Sequence, residues 1–419
     1  DIFNEGIDIP KTDTLLLLRP TDSGLLFMQQ IGRGLRRAHN KTVCTILDFV
    51  GHHRKEFRYE NRFKALVGGS RKELEQNVKG GFPFLPAGCQ INLDSHSQSE
   101  ILNSLKNAIP SQWLKMVAEL KLLGDLSLKE FLRDSGLSLQ DVYSNGKSFT
   151  ALRRAAGFDK SVDDNDEQTM LRGVGRLNHI DDATRIIKYQ NWLSAPSPIE
   201  LNKLNTFDRR LARMMSASIT STFKMDDASK ELELIWKFQS VRQELLWLLE
   251  VVAGVVDVVH SEYSTHMDVP LRIHALYSRV EIQAALDDLK DGKIRYFPEG
   301  VKYLSDIKID FFLFTADKSS AGFSPTTRYR DYAISSKLIH WESQSKVSSA
   351  SSTGQRYINH RANGQTILLF GRRSTKDDAF WFLGPASYVS HSGEYPVAFT
   401  WRLENELPAA LVELFAAAA

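Results

Sequence analysis

Cysteine is nearly absent, with Cys44 and Cys89 the only two in 419 residues. They cannot build a disulfide framework and stand in no C-x-x-C spacing, which argues against a cross-linked secreted scaffold and a structural zinc site and fits a reducing compartment. Long apolar runs are missing too: the longest, Leu245 to Val259, is interrupted by Glu250 and Asp257 and falls short of the roughly 20 residues a membrane span needs. No charged n-region with an apolar run opens the chain, so neither a secretory signal nor a membrane partner is expected, and the expected location is the cytoplasm. Nor is there an excess of charge, because 53 Lys and Arg against 51 Asp and Glu leave +2. Any nucleic-acid contact must therefore come from local patches. Hydrophobic residues at 42% and charged residues at 25% are ordinary for a globular protein. At roughly 100 to 200 residues per domain, the length allows two or three domains.

Two apolar runs of strand length, residues 12–19 (TDTLLLLR) and 42–50 (TVCTILDFV), flank a helical-looking stretch from Gly24 to His39. This is a β-α-β pattern whose strands are apolar on both faces, as inside a parallel sheet. Two strands make too small a sheet to stand alone. The first domain, residues 1–55, thus needs upstream strands in a longer polypeptide, or a partner. Turn formers in GGS, GGFPF, LPAG and DSHSQS predict an irregular connector over 56–99.

Residues 100–260 read as helical. Within them Ser127-Leu-Lys-Glu130, a capping box, and Ser138-Leu-Gln-Asp141 predict helix starts, while Gly136, Gly146 and Gly157 predict stops. The three short helices over 126–158 have a helix-turn-helix order, and the third, Phe149 to Ala156, offers Arg153 and Arg154 to a phosphate backbone. A small bundle with solvated arginines is the competing reading. From 261 to 415 one helix and five strand-like runs predict a β-rich terminal domain. The expected fold class is multidomain: α/β, then α, then β-rich.

The most specific pattern is Gln29-Gln-Ile-Gly32-Arg33-Gly-Leu-Arg36, a Q-x-x-G-R-x-x-R string preceded by Phe3-Asn4-Glu5-Gly6-Ile7-Asp8-Ile9-Pro10. If the segment is helical, Arg33 and Arg36 share a face and can present two guanidinium groups to one anion, such as a triphosphate. Gly32 permits close backbone approach. A solvated charge run explains neither the preceding glycine nor the position between two apolar strands.

These two segments resemble motifs V and VI of superfamily 2 helicases, ATP-driven nucleic-acid translocases with two RecA-like domains. The resemblance covers about the first fifty residues and implies the C-terminal part of the second such domain. It implies that Arg33 and Arg36 are arginine fingers with Gln29 near the nucleotide. It further implies that Gly6 and Asp8 touch nucleotide and nucleic-acid backbone, with Asn4 beside them on the nucleic acid. ATP and Mg2+ would be held mainly by an N-terminal half, because no G-x-x-x-x-G-K-[ST] loop is present and no D-E-x-x magnesium box is recognised. Alone, the chain is expected not to hydrolyse ATP.

Leu47 to Phe63, Gly80 to Cys89, DYAISSKLIHWESQS, GQRYINH and FLGPASYVSHSGEYPVAFTWRL are similar to bacterial superfamily 2 helicases that end in a large domain of unknown function, often fused to a phospholipase-D-like nuclease. That similarity implies DNA as partner, together with nuclease or defence-system subunits, in restriction, anti-phage defence or repair. The alternative is a non-catalytic DNA-binding or assembly module with the helicase remnant as a docking surface, and a third reading is a modification-dependent restriction factor whose terminal domain reads altered bases.

In the terminal domain His340, Trp341 and Gln344, with Arg356, Tyr357, Arg372, Tyr388 and Trp401, form a kit for stacking on bases, unless the tryptophans are core. Arg328, Arg330 and Lys337 make a modest basic patch. Asp310, Glu342 and Lys346 approximate a metal-dependent nuclease, but their spacing is wrong. His52-His53 read as a solvated turn more readily than as a metal site, and no metal ligand is expected.

Overall fold

The computed structural model describes residues 9–18, 21, 24–36, 38, 41–49, 59–67, 71–82, 85, 89–107, 113–135, 137–159, 164–220, 228–256, 258–263, 268–290, 293–294, 297, 299–317 and 331–416. Helices and mixed sheets are both present. The chain divides into two compact units, one of residues 1–126, 130–144 and 155–158, the other of 127–129, 145–154 and 159–419.

The first unit opens with β1 (Thr14–Leu17), α1 (Gly24–Gly34) and β2 (Thr45–Asp48). The strands pair in parallel, Thr14 with Thr45 through Leu17 with Asp48. Phe27 and Ile31, one turn apart on α1, bury themselves against Leu17 and Ile46. Within residues 1–419 only one face of these strands is covered. On the opposite face Leu16, Leu18, Leu47 and Phe49 are exposed, Leu18 at 70%. Alternation along a strand sends neighbouring side chains to opposite faces, and α1 covers only one of them.

Helix α1 also stops at Gly34, five residues short of the expected end. There a Cβ would lie 2.5 Å from Leu15 Cδ1 and 2.7 Å from Cys44 Sγ, so only glycine lets the helix end approach the sheet this closely. Then α2 (Tyr59–Val67), α3 (Arg71–Gly80) and α4 (Ser95–Asn107) follow. Phe63, Leu74, Val78, Phe82 and Ile101 form their core. The predicted irregular connector therefore contains two helices and the start of α4. Its turn formers punctuate them, while Leu74, Val78 and Phe82 at spacing four mark the buried stripe.

The helical stretch continues as α5 (Trp113–Leu123), α6 (Leu128–Ser135), α7 (Leu139–Val142) and α8 (Phe149–Ala156). At α7 Ser138 and Asp141 form a reciprocal capping box. In the second unit come α9 (Asn165–Val174), α10 (Ala183–Leu193), α11 (Thr206–Thr220), α12 (Ala228–Lys237) and α13 (Gln239–Ala253). Where α9 meets α11, a Cβ on Gly173 would stand 1.6 Å from the Ile219 carbonyl oxygen. Gly173→Ala must push the helices apart, and overpacking of this kind costs about 1–3 kcal/mol, read as a lower urea midpoint at unchanged slope.

The remaining elements are β3 (Leu276–Ser278), α14 (Arg279–Ala285), the pair β4 (Leu289–Lys290) and β5 (Lys293–Ile294), β6 (Val301–Leu304), β7 (Ile309–Asp317), β8 (Tyr332–Ala333), β9 (Leu338–Glu342), α15 (Ser352–Ile358), β10 (Thr366–Ser374), β11 (Ala379–Ser392), β12 (Ala398–Leu403) and α16 (Ala409–Ala416). The main sheet runs β6-β7-β10-β11-β12-β9-β8, with β3 on β11. Only β7 and β10 pair in parallel there. Phe312 on β7 stacks on Trp341 of β9 with ring centroids 4.4 Å apart. Those strands are four steps apart, roughly 19 Å in a flat sheet, so the sheet curls around an aromatic core.

Helix α10 is tied to β3 and α14 by a buried ionic cluster. Arg185 donates to Asp182, to Glu281 at 2.8 Å and to the Leu276 carbonyl at 2.6 Å, while His179 Nε2 meets Glu281 at 2.6 Å. Burial alone would raise the Glu281 carboxyl, but His179, Arg185 and the backbone N–H of Ser278 take it down to about 2. Among the described residues no helix is long and apolar enough to cross a membrane.

Candidate functional site

Helix α1 sorts its residues by face. Phe27, Ile31 and Gly34 are buried, whereas Gln29 and Gly32 are exposed and Arg33 is half-buried. Gln29, Gly32 and Arg33 follow the i, i+3, i+4 rule and line the outer surface together. Arg36 is exposed but lies two residues beyond the helix. The expected single helical face for both arginines is thus corrected: Arg33 projects from the last turn and Arg36 from the segment leaving it. The two glycines differ as well. Gly34 is required by packing, but a Cβ on Gly32 would meet nothing within 4 Å. Gly32 is therefore not demanded by this chain's own packing, although a mid-helix glycine costs about 1 kcal/mol against alanine.

Beneath this face Arg62 on α2, 1% exposed, pairs with Asp48 at the end of β2. Its guanidinium lies 4.3 Å from the centre of the Phe27 ring. A buried cation between a strand end and a helix in the core of α1 holds the platform that presents Arg33. Of the other residues assigned from the resemblance, Asn4, Gly6 and Asp8 lie outside the described residues, as do His52, His53, Arg328 and Arg330.

One literal D-E-x-x string does occur, Asp166-Glu167-Gln168-Thr169. It occupies the first turn of α9, with Asp164 as N-cap, and not a strand end. Glu167 accepts from Arg154 Nη2 at 2.9 Å. This corrects the expectation for Arg154, which is only 12% exposed and lies between Glu167 and, at 3.5 Å, Asp159. Its charge is paired by these two carboxylates within the protein. Arg153 stacks on Trp247, 5.2 Å from the ring centre. At the head of α8 the buried Glu244 carboxylate accepts from Phe149 N–H at 2.7 Å and Thr150 N–H at 2.8 Å. The end that a recognition helix would turn toward DNA is capped from within, and an anion already sits where a phosphate would bind. Glu244→Ala exposes both donors in a buried site. An expected loss of about 1–3 kcal/mol, read from the thermal midpoint, checks this.

In the terminal domain Trp341 and Trp401 are core, at 4% and 0% exposure, so neither is available to a base. On the outer face of β9, His340 stacks on Tyr332 at 4.6 Å and its Nε2 lies 3.9 Å from Glu342. Gln344 is half-buried and accepts the Val347 N–H through its carbonyl at 2.9 Å. Lys337 pairs with Glu406 at 2.7 Å. The nuclease trio is not brought together. Asp310 is buried and takes both arms of Arg356 at 2.9 and 3.1 Å, while Glu342, next to the inward Trp341, faces the other side of the sheet. Burial raises the Asp310 carboxyl despite that guanidinium. Arg356 in turn lies 4.4 Å from the centre of Tyr303. No group of three or more His, Cys, Asp or Glu able to hold a metal occurs among the described residues.

Comparison with known proteins adds three findings. Residues 271–415 match the family model described as Domain of unknown function (DUF3427). Over 50 residues, 12% of the chain, the sequence is 56% identical to the "Putative ATP-dependent helicase IRC3" of Saccharomyces cerevisiae. Over 80 residues, 19% of the chain, it is 31% identical to the "51.5 kDa protein" of a Lactococcus phage (isolate 7-9). The chain spans 7% and 18% of the lengths of these two relatives.

Proposed function

We propose that this chain supplies one wall of the nucleotide site of an ATP-dependent DNA helicase or translocase, with Arg33 and Arg36 directed at the triphosphate. The observation that carries the reading is the outer face of α1. There Gln29, Gly32 and Arg33 stand in a row with Arg36 following, and an exposed glycine leaves room for close approach. Two guanidinium groups suit the charge that builds on a transferring phosphoryl group, where they act by electrostatic stabilisation alone. The partial identity to a protein named as an ATP-dependent helicase supports the same chemistry.

The bare face of β1 and β2 supports the rest of the proposal. Parallel strands are normally covered on both sides, so Leu16, Leu18, Leu47 and Phe49 fit beneath further elements of a RecA-like domain lying outside residues 1–419. Those elements would also provide the phosphate-binding loop. Magnesium is not fitted by the described residues, which bring no three candidate ligands together. The helical middle and the terminal domain would engage DNA, and restriction, anti-phage defence or repair are settings in which such a motor acts. The reading is tested by DNA-stimulated ATP hydrolysis of the intact protein carrying Arg36→Ala. A rate within about threefold of the unsubstituted protein excludes it, because a finger contributes orders of magnitude more.

A further inference from the structure

Beyond Gly34 the Leu35 N–H still donates to Ile31 O at 3.1 Å, and the chain then leaves α1 toward Arg36. Lys41 reaches back to this segment. Its ammonium donates to Pro10 O at 3.2 Å, to Arg36 O at 3.0 Å and to Gly34 O. An ammonium has three protons, and here three carbonyls receive them. Two belong to the arginine segment. The third lies 31 residues back, in the turn where Thr12 N–H donates to Ile9 O at 3.1 Å.

We propose that Lys41 is the positioning residue of the arginine segment, one cation gripping three carbonyls so that Gly34 to Arg36 is held against the turn at residues 9–12. This rests on the reading of Arg33 and Arg36 given above. Carbonyls at a helix C-terminus carry partial negative charge and draw in nearby guanidinium groups. Lys41 meets that charge at Gly34 O and Arg36 O. A lysine suits the task because its donors converge from a single nitrogen, whereas the planar fork of an arginine spreads them. The backbone of Arg36 thereby moves with the residue 9–12 turn as one body. Displacing a group that acts on the reacting centre by about 1 Å lowers rate by roughly 100-fold.

The test measures DNA-stimulated ATP hydrolysis by the intact protein with Lys41→Met, Lys41→Ala and Lys41→Arg, beside Arg36→Ala. Lys41→Met is expected to lower kcat by about 10- to 100-fold while KM for ATP stays within about threefold, since ground-state binding is left in place. Added n-propylammonium, which replaces the atoms that Lys41→Ala deletes, should restore part of that variant's kcat and leave Arg36→Ala unchanged. Lys41→Arg should recover little. The proposal is overturned if Lys41→Met keeps kcat within about threefold while Arg36→Ala is severely impaired, an outcome that leaves the helicase reading intact. It is equally overturned if the amine restores nothing and the Lys41 variants lose activity only in step with their thermal midpoint, since the lysine is then merely structural. Full activity in Arg36→Ala instead removes the helicase reading, and the clamp falls with it.

Discussion

Arg36→Ala should reduce DNA-stimulated ATP hydrolysis by the intact protein by about 10³-fold or more, the range that guanidinium groups contribute in phosphoryl transfer. The expected loss is in kcat, because charge on the γ-phosphoryl oxygens is largest in the transition state. Arg33→Ala should act in the same direction. Arg33 is half-buried, so its replacement also changes buried surface. That makes the exposed Arg36 the cleaner probe: its truncation disturbs little of the fold, and an unchanged urea midpoint alongside a collapsed rate would separate chemistry from folding. A single-turnover measurement with saturating nucleotide decides whether the lost step is chemistry.

Glu281→Gln should produce the largest loss of stability, about 3–5 kcal/mol, because it breaks a buried ionic cluster from one side. Arg185 is 1% exposed and would retain Asp182 and, at 3.5 Å, Asp181. Its guanidinium, whose proton affinity burial lowers, is held charged well above the ordinary value by Asp182 and Glu281. The pH dependence follows from the carboxyl. Its folded value of about 2 lies below the ordinary 4.5, so the unfolded chain binds more protons in between. Its contribution, on the order of 3 kcal/mol, is present above about pH 4.5 and is lost as pH falls toward 2. The gap in urea midpoint between the unsubstituted protein and Glu281→Gln should therefore close across that window. A gap that stays constant down to pH 2 contradicts this account of Glu281.

Much of the local structure is legible in the order of residues. Apolar runs at 12–19 and 42–50 become β1 and β2, and a spacing of four puts Phe27 and Ile31 inside while Gln29 and Arg33 stay outside. Ser138 and Asp141 cap α7 as their spacing suggests. The end of α1 was legible only in part: glycine at 34 is a stop signal by type, as at 32, but its close approach to Leu15 and Cys44 is set by the fold. Nothing in the residues around Lys41 marks it, and only the fold brings Pro10 within its reach.

Periodicity and capping act within one element, so residue order alone decided strand, helix and the polar face of α1. Availability is a different property. Arg154, Trp341 and Asp310 look like ligand-binding groups by type, yet each is claimed by protein distant in sequence: Glu167, the Phe312 ring and Arg356. Charge and aromatic surface left unmatched in a low-dielectric interior are costly, so folding pairs them, and the pairing partner is chosen by three-dimensional proximity. Tertiary structure therefore decided which candidates are turned inward, while Gln29 and Gly32 on the outer face of α1, and Arg36 beyond it, stay exposed.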